Sequence, residues 1–97
     1  MDAIEVLAKE YPGDAAWQRF VDVFRADWAK RVDKDKYIAA LGDEELAIVL
    51  AASLGDQSIS WLKTPIAALN QRSPAAVLRE EPLGKKILRT LLMRMPR

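Results

Sequence analysis

The sequence predicts an all-α protein, a small bundle of about seven to eight short helices with one longer amphipathic helix near the N-terminus. Three observations lead there. Apolar residues recur at helical spacing, as in Trp17, Phe20, Val21, Phe24 and Trp28, and no stretch alternates in the manner of a half-buried strand. Gly42-Asp43 and Gly55-Asp56 each set a helix-stopping glycine just ahead of a capping carboxylate. Two Thr/Ser-Pro steps, Thr64-Pro65 and Ser73-Pro74, stand nine residues apart. Proline suits the first helical position because its missing N–H has no intrahelical partner there and its φ is already helical.

Residues 2–10 form a first short helix, closed by the turn signal Tyr11-Pro12-Gly13. Asp14 then caps a long helix reaching about residue 32, with the aromatic stripe on one face and Arg19, Asp22, Arg25, Asp27 and Lys30 on the other. Such a stripe resembles a stacking platform for bases, but core or a dimer seam is the reading adopted. Asp33-Lys34-Asp35-Lys36 leads into a helix ending at Leu41. The next, over 44–54, is apolar on every side from Leu46 to Ala52, so it is expected at the centre of the fold or shared with another subunit. Residues 57–63 follow, then two capped helices over 65–70 and 74–80. In these the Thr64 and Ser73 hydroxyls accept a first-turn amide, each cap worth about 1 kcal/mol. A last helix runs from about 81 to 95, with Leu83, Ile87, Leu88, Leu91, Leu92 and Met95 on one stripe and Lys85, Lys86, Arg89 and Arg94 around the rest.

Composition narrows the function. A chain of 97 residues that is 51% hydrophobic and 30% charged is too apolar for disorder and carries one modest core. It divides into a helical dimerisation or packing element over 1–45 and a binding unit over 46–97. No apolar run approaches the ~18 residues of a membrane helix, and the opening Met-Asp-Ala-Ile-Glu lacks the regions of a signal peptide, so a cytoplasmic address is expected. With no His and no Cys, His-based acid–base chemistry, catalytic triads, thiolate nucleophiles and zinc knuckles are excluded. Four dispersed glycines make no phosphate-binding loop, and the adjacent pairs Glu44-Glu45 and Glu80-Glu81 point to different sides of a helix. The expectation is a binding protein, not an enzyme, with no metal and no cofactor. Charge is uneven. Residues 1–56 carry seven Lys/Arg against twelve Asp/Glu, a balance of −5; residues 57–97 carry eight against two, a balance of +6. Two faces with different partners, or head-to-tail association of protomers, would use that asymmetry; a solvated dipolar surface would not.

One ordered set of residues resembles a known family. Leu54-Gly55, Trp61-Leu62, Pro65, Leu69, Ser73-Pro74, Leu78, Gly84, and Leu92 with Arg94-Met95 match, over 46–97, the toxin-binding domain shared by the Xre, MbcA and ParS antitoxins. Trp61, Pro65, Ser73, Pro74 and Gly84 take structural roles in that reading. Two positions depart from the pattern. Asn70-Gln71 stands where the family has a Gly-containing corner, and Asn70 is expected to make the same left-handed bend. The chain ends Met95-Pro96-Arg97, where the family has a glycine after the last helix. The resemblance implies a cognate toxin of the RES type, which consumes NAD, and neutralisation by steric cover of its active-site cleft. The implied toxin contacts are Lys85, Arg89, Arg94 and Arg97 as polar groups and Leu92, Met93 and Met95 as apolar ones, so truncation after Arg89 should abolish neutralisation. Antitoxins of this family often carry an N-terminal helix-turn-helix. The acidic, aromatic-rich residues 1–45 instead imply a homodimer element with weak or absent DNA binding, since DNA affinity rests on neutralising phosphates. The alternative is a DNA-binding regulator of its own operon using the basic C-terminal half.

Overall fold

The computed structural model describes residues 2–95. Its architecture is organised around α5 (Glu44–Leu54), because that helix has no polar side to give to solvent. Leu46, Ala47, Ile48, Val49, Leu50 and Ala51 are all buried. Its start is set locally. Gly42 adopts a left-handed φ of 67° and ends α4 (Lys34–Leu41), a conformation that costs glycine nothing. Asp43 then accepts the Leu46 N–H at 2.9 Å, satisfying one free amide of the first turn.

Around α5 pack α2 (Asp14–Asp22), α3 (Arg25–Ala29), α4, α6 (Ser58–Lys63) and α8 (Gly84–Arg94). The helix α1 (Ala3–Lys9), capped by Asp2, lies mainly on α8, and α7 (Pro74–Glu80) lies on α8 and α6. The described residues are 74% helical, with no strand and one isolated bridge between Ile66 and Arg72. A single cluster of buried apolar side chains runs from Ile4 to Leu92. The division at residue 45 therefore cuts through one core. It also separates directly bonded side chains, such as Tyr11 and Arg89.

The expected long N-terminal helix is corrected. It is two shorter helices joined at Val23-Phe24, where the chain tightens into two i→i−3 hydrogen bonds, Val23 to Phe20 at 3.2 Å and Phe24 to Val21 at 2.9 Å. An unbroken helix over 14–29 would be about 24 Å long, whereas α5 offers about 16 Å to lie against. The bend brings both α2 and α3 onto α5 and sets Trp28 edge-on to Tyr37, ring centroids 6.3 Å apart. The aromatic stripe is core as expected for Trp17, Val21 and Trp28, which are buried, while Phe20 and Phe24 are half-buried beside it.

Ser73-Pro74 starts a helix as the sequence predicts, with Ser73 accepting the Ala76 N–H at 3.2 Å and Pro74 in the first turn. Thr64-Pro65 does not. Thr64 Oγ1 instead donates back to Ser60 O at 2.8 Å, and residues 65–72 form a tight corner. In it Ile66 pairs with Arg72 around the 3-10 turn Ala67–Leu69. Asn70 takes the expected left-handed angles, and so does Gln71. The residue before a proline is held extended both in an N-cap and in a loop, and here burial of Leu69 and the Ile66–Arg72 pairing outweigh a single isolated helical turn.

Smaller boundaries also move. Gly13 rather than Asp14 precedes α2, Asp56 lies in the 3-10 turn Gly55–Gln57 rather than capping, and the last helix begins at Gly84. Gly84 shows why glycine stands there. A Cβ at that position would lie 2.7 Å from Val77 O, 2.8 Å from Leu78 O and 2.9 Å from Leu78 Cα, all backbone of α7. Trp61 is half-buried against the core, and Pro65 is exposed.

Candidate functional site

Helix α8 carries most of the residues implied as toxin contacts, and its two sides have different fates. Ile87, Leu88 and Leu92 fill the core; Leu92 is only 2% exposed. Leu92 is therefore corrected from a partner contact to a core residue, because the apolar stripe of α8 is the side that meets α1 and α5. Truncation after Arg89 would delete this residue and so disturb the fold itself.

Arg89 is likewise drawn inward. Its side chain is 16% exposed. Its Nη1 donates to Tyr11 Oη at 2.9 Å and its Nη2 to Glu45 Oε1 at 3.3 Å. The guanidinium lies 5.1 Å from the Trp17 ring, a cation–π distance. Glu45 also accepts the Trp17 indole N–H at 3.1 Å and the Gln18 amide. Tyr11 in turn donates to Asp14 at 2.7 Å. Burial, then the bond to Asp14, raises the Tyr11 pKa, while Arg89 opposes the rise. Sequence reasoning missed this network and took Glu45 for helix N-terminal charge. The available signal was Trp17 itself, since a buried indole N–H demands an acceptor.

Two further cations of α8 also pair with carboxylates of the acidic half. Lys85 Nζ lies 3.0 Å from Asp43 Oδ2, and Arg94 Nη2 donates to Glu10 Oε2 at 2.9 Å. The charge asymmetry of the sequence is thus used inside the fold, where basic α8 docks on carboxylates of residues 10–45. Lys85 and Arg94 nonetheless stay exposed, as does Lys86, and Met93 and Met95 are half-buried. Met93, Arg94 and Met95 meet at the C-terminal end of the helix; Lys85 stands at the other end. Arg97 lies outside the described residues.

Asp43 gives a measurable consequence. Burial pushes its carboxyl up, but the Leu46 N–H, Lys85 and Arg89 outweigh that and leave its pKa below the ordinary aspartate value. A depressed folded-state pKa contributes stability that is present above the unfolded value and lost as pH falls through the folded one. Stability is expected to decline below about pH 4, and Asp43→Asn should flatten that decline in urea denaturation curves recorded across the window. An unchanged slope would contradict the assignment.

Among the described residues no group of three His, Cys, Asp or Glu is arranged to hold a metal. No family model, curated protein or solved structure matches the chain.

Proposed function

We propose that this protein is a cytoplasmic antitoxin or immunity protein that binds a RES-type, NAD-consuming toxin and covers its active site with the C-terminal end of its last helix. The observation that carries the reading is the contrast along α8. Ile87, Leu88, Arg89 and Leu92 anchor the helix, while Met93, Arg94 and Met95 keep exposed or half-exposed surface at its end. A helix fixed before binding loses little conformational freedom when a partner closes on it. The toxin class follows from the family resemblance of the ordered set from Leu54-Gly55 to Arg94-Met95. A homodimer would use Val23 and Val32, which are large apolar side chains left exposed in residues 1–45.

DNA binding is expected to be weak or absent. Lys85, Arg89 and Arg94 already face Asp43, Glu45 and Glu10, and Arg72 binds Glu80 and Glu81 at 2.8 Å. Co-expression with the product of the adjacent reading frame, which the proposal expects to be a RES-type toxin, tests it. Wild type should rescue growth. A double variant Met93→Asp/Arg94→Glu should not, although it still folds cooperatively at a somewhat lower melting temperature, since the exposed Arg94–Glu10 pair contributes at most about 1 kcal/mol and Met93 is only partly buried against the core. Failure of the wild type to rescue, or full rescue by the double variant, contradicts it.

A further inference from the structure

A second surface lies at the opposite end of α8. Two shallow grooves of about 340 and 370 Å3 share Leu78 and Lys85 and so form one trough. Its floor is apolar, running from Leu41 and Ala75 across Leu78 to Pro82 and Leu83. Leu83 is 49% exposed, one of three large apolar side chains among the described residues left so open. Arg79, Lys85 and Lys86 stand around the rim, all exposed; Arg79 has Glu80 at 3.4 Å, while Lys86 has no carboxylate partner among the described residues. The acid in the lining, Glu81, is already held by Arg72 at 2.8 Å. Asp43, which faces Lys85, is 10% exposed and offers little negative charge to solvent. Lys86 has the Tyr11 ring beside it, 6.0 Å from its centroid.

We infer that this trough is a docking site for an acidic, apolar-faced segment of the partner protein. The chemistry is complementary on both counts. Apolar side chains of the segment would cover Leu78 and Leu83, and its carboxylates would meet Lys86 first, with Arg79 and Lys85 shared with Glu80 and Asp43. The uncapped first turn of α8, at Gly84 to Lys86, adds to the positive potential over the same trough. Phosphate-rich partners are disfavoured by the apolar floor, which nucleic acid would leave uncovered. The inference rests on the antitoxin reading in one respect, that the segment belongs to the toxin. Helix α8 is about 16 Å long, and a standard interface of ~800 Å2 per partner spans roughly 30 Å, so one partner is wide enough to engage both ends.

The test is the affinity of the full chain for the purified RES-type toxin, measured by calorimetry at low and physiological salt. Leu83→Asp and Lys86→Glu, made separately, should each weaken binding at least about tenfold with no fall in melting temperature, because both side chains are exposed and an acid at or just inside the start of α8 suits that helix end. Lys86→Glu should also reduce the salt dependence of affinity, since a rim charge acts largely through screened attraction. Wild-type binding by both variants overturns the trough and leaves the antitoxin reading standing. No binding by the wild type overturns both.

Discussion

Gly84→Ala is expected to lower the melting temperature by on the order of 10 °C, measured by circular dichroism or calorimetry. The added methyl would sit 2.7 Å from Val77 O, with Leu78 O and Leu78 Cα also inside 3.0 Å. These are backbone atoms, which cannot rotate aside, so α8 must withdraw from α7 along a seam that also buries Val77 and Ile87. Overpacking of this kind costs about 1–3 kcal/mol, and in a domain of this size each kcal/mol shifts the midpoint by about 4–8 °C. The direction is a sharp test. Alanine is the better helix former by up to ~1 kcal/mol, so at a position with room the same substitution would raise the melting temperature. A rise would contradict the close approach of α7 and α8.

Arg89→Met is expected to destabilise the fold by about 2 kcal/mol. Removing one partner of a fully buried ion pair costs about 3–5 kcal/mol. The smaller figure applies because the Glu45 side chain is 27% exposed and keeps the Trp17 and Gln18 donors. Methionine preserves the aliphatic packing of the stem, so the loss reports the guanidinium and not a cavity. The pairing itself is isolated by a double-mutant cycle with Glu45→Gln, read by urea denaturation. A coupling energy of about 1 kcal/mol or more is expected, as for residues sharing one hydrogen-bonded network. Additive effects would mean that Arg89 does not depend on Glu45. Arg89→Met should differ from Met93→Asp/Arg94→Glu, which is expected to lose toxin binding while remaining folded.

What the sequence makes legible here is what neighbours in the chain decide. Gly42-Asp43, Ser73-Pro74 and the left-handed Asn70 sit where read, because each is fixed by the conformation of two or three adjacent residues. The burial of α5 was equally plain, since Leu46 to Ala51 leave no polar side. The break at Val23-Phe24 was not, because the spacing from Trp17 to Trp28 fits an unbroken helix, and the bend is tied to the packing of both α2 and α3 on α5, which spacing does not encode. Thr64-Pro65 was ambiguous for a different reason: an extended residue before proline serves a cap or a corner equally well. The candidate site was half legible. The stripe on α8 was visible, but which residues it would bury was not, so Leu92 and Arg89 were assigned outward although one is core and the other an internal anchor. Their partners, from Tyr11 to Glu45, lie too far away in sequence for spacing to reveal. The same distance hid the internal use of the charge asymmetry.

The proposed neutralisation is tested most directly by the rate at which the purified RES-type toxin consumes NAD as this protein is titrated in. Steric cover predicts that consumption falls in proportion to the protein added and stops at a fixed molar ratio, with Met93→Asp/Arg94→Glu leaving it running. Consumption undiminished by a large excess of the folded wild-type chain would contradict it.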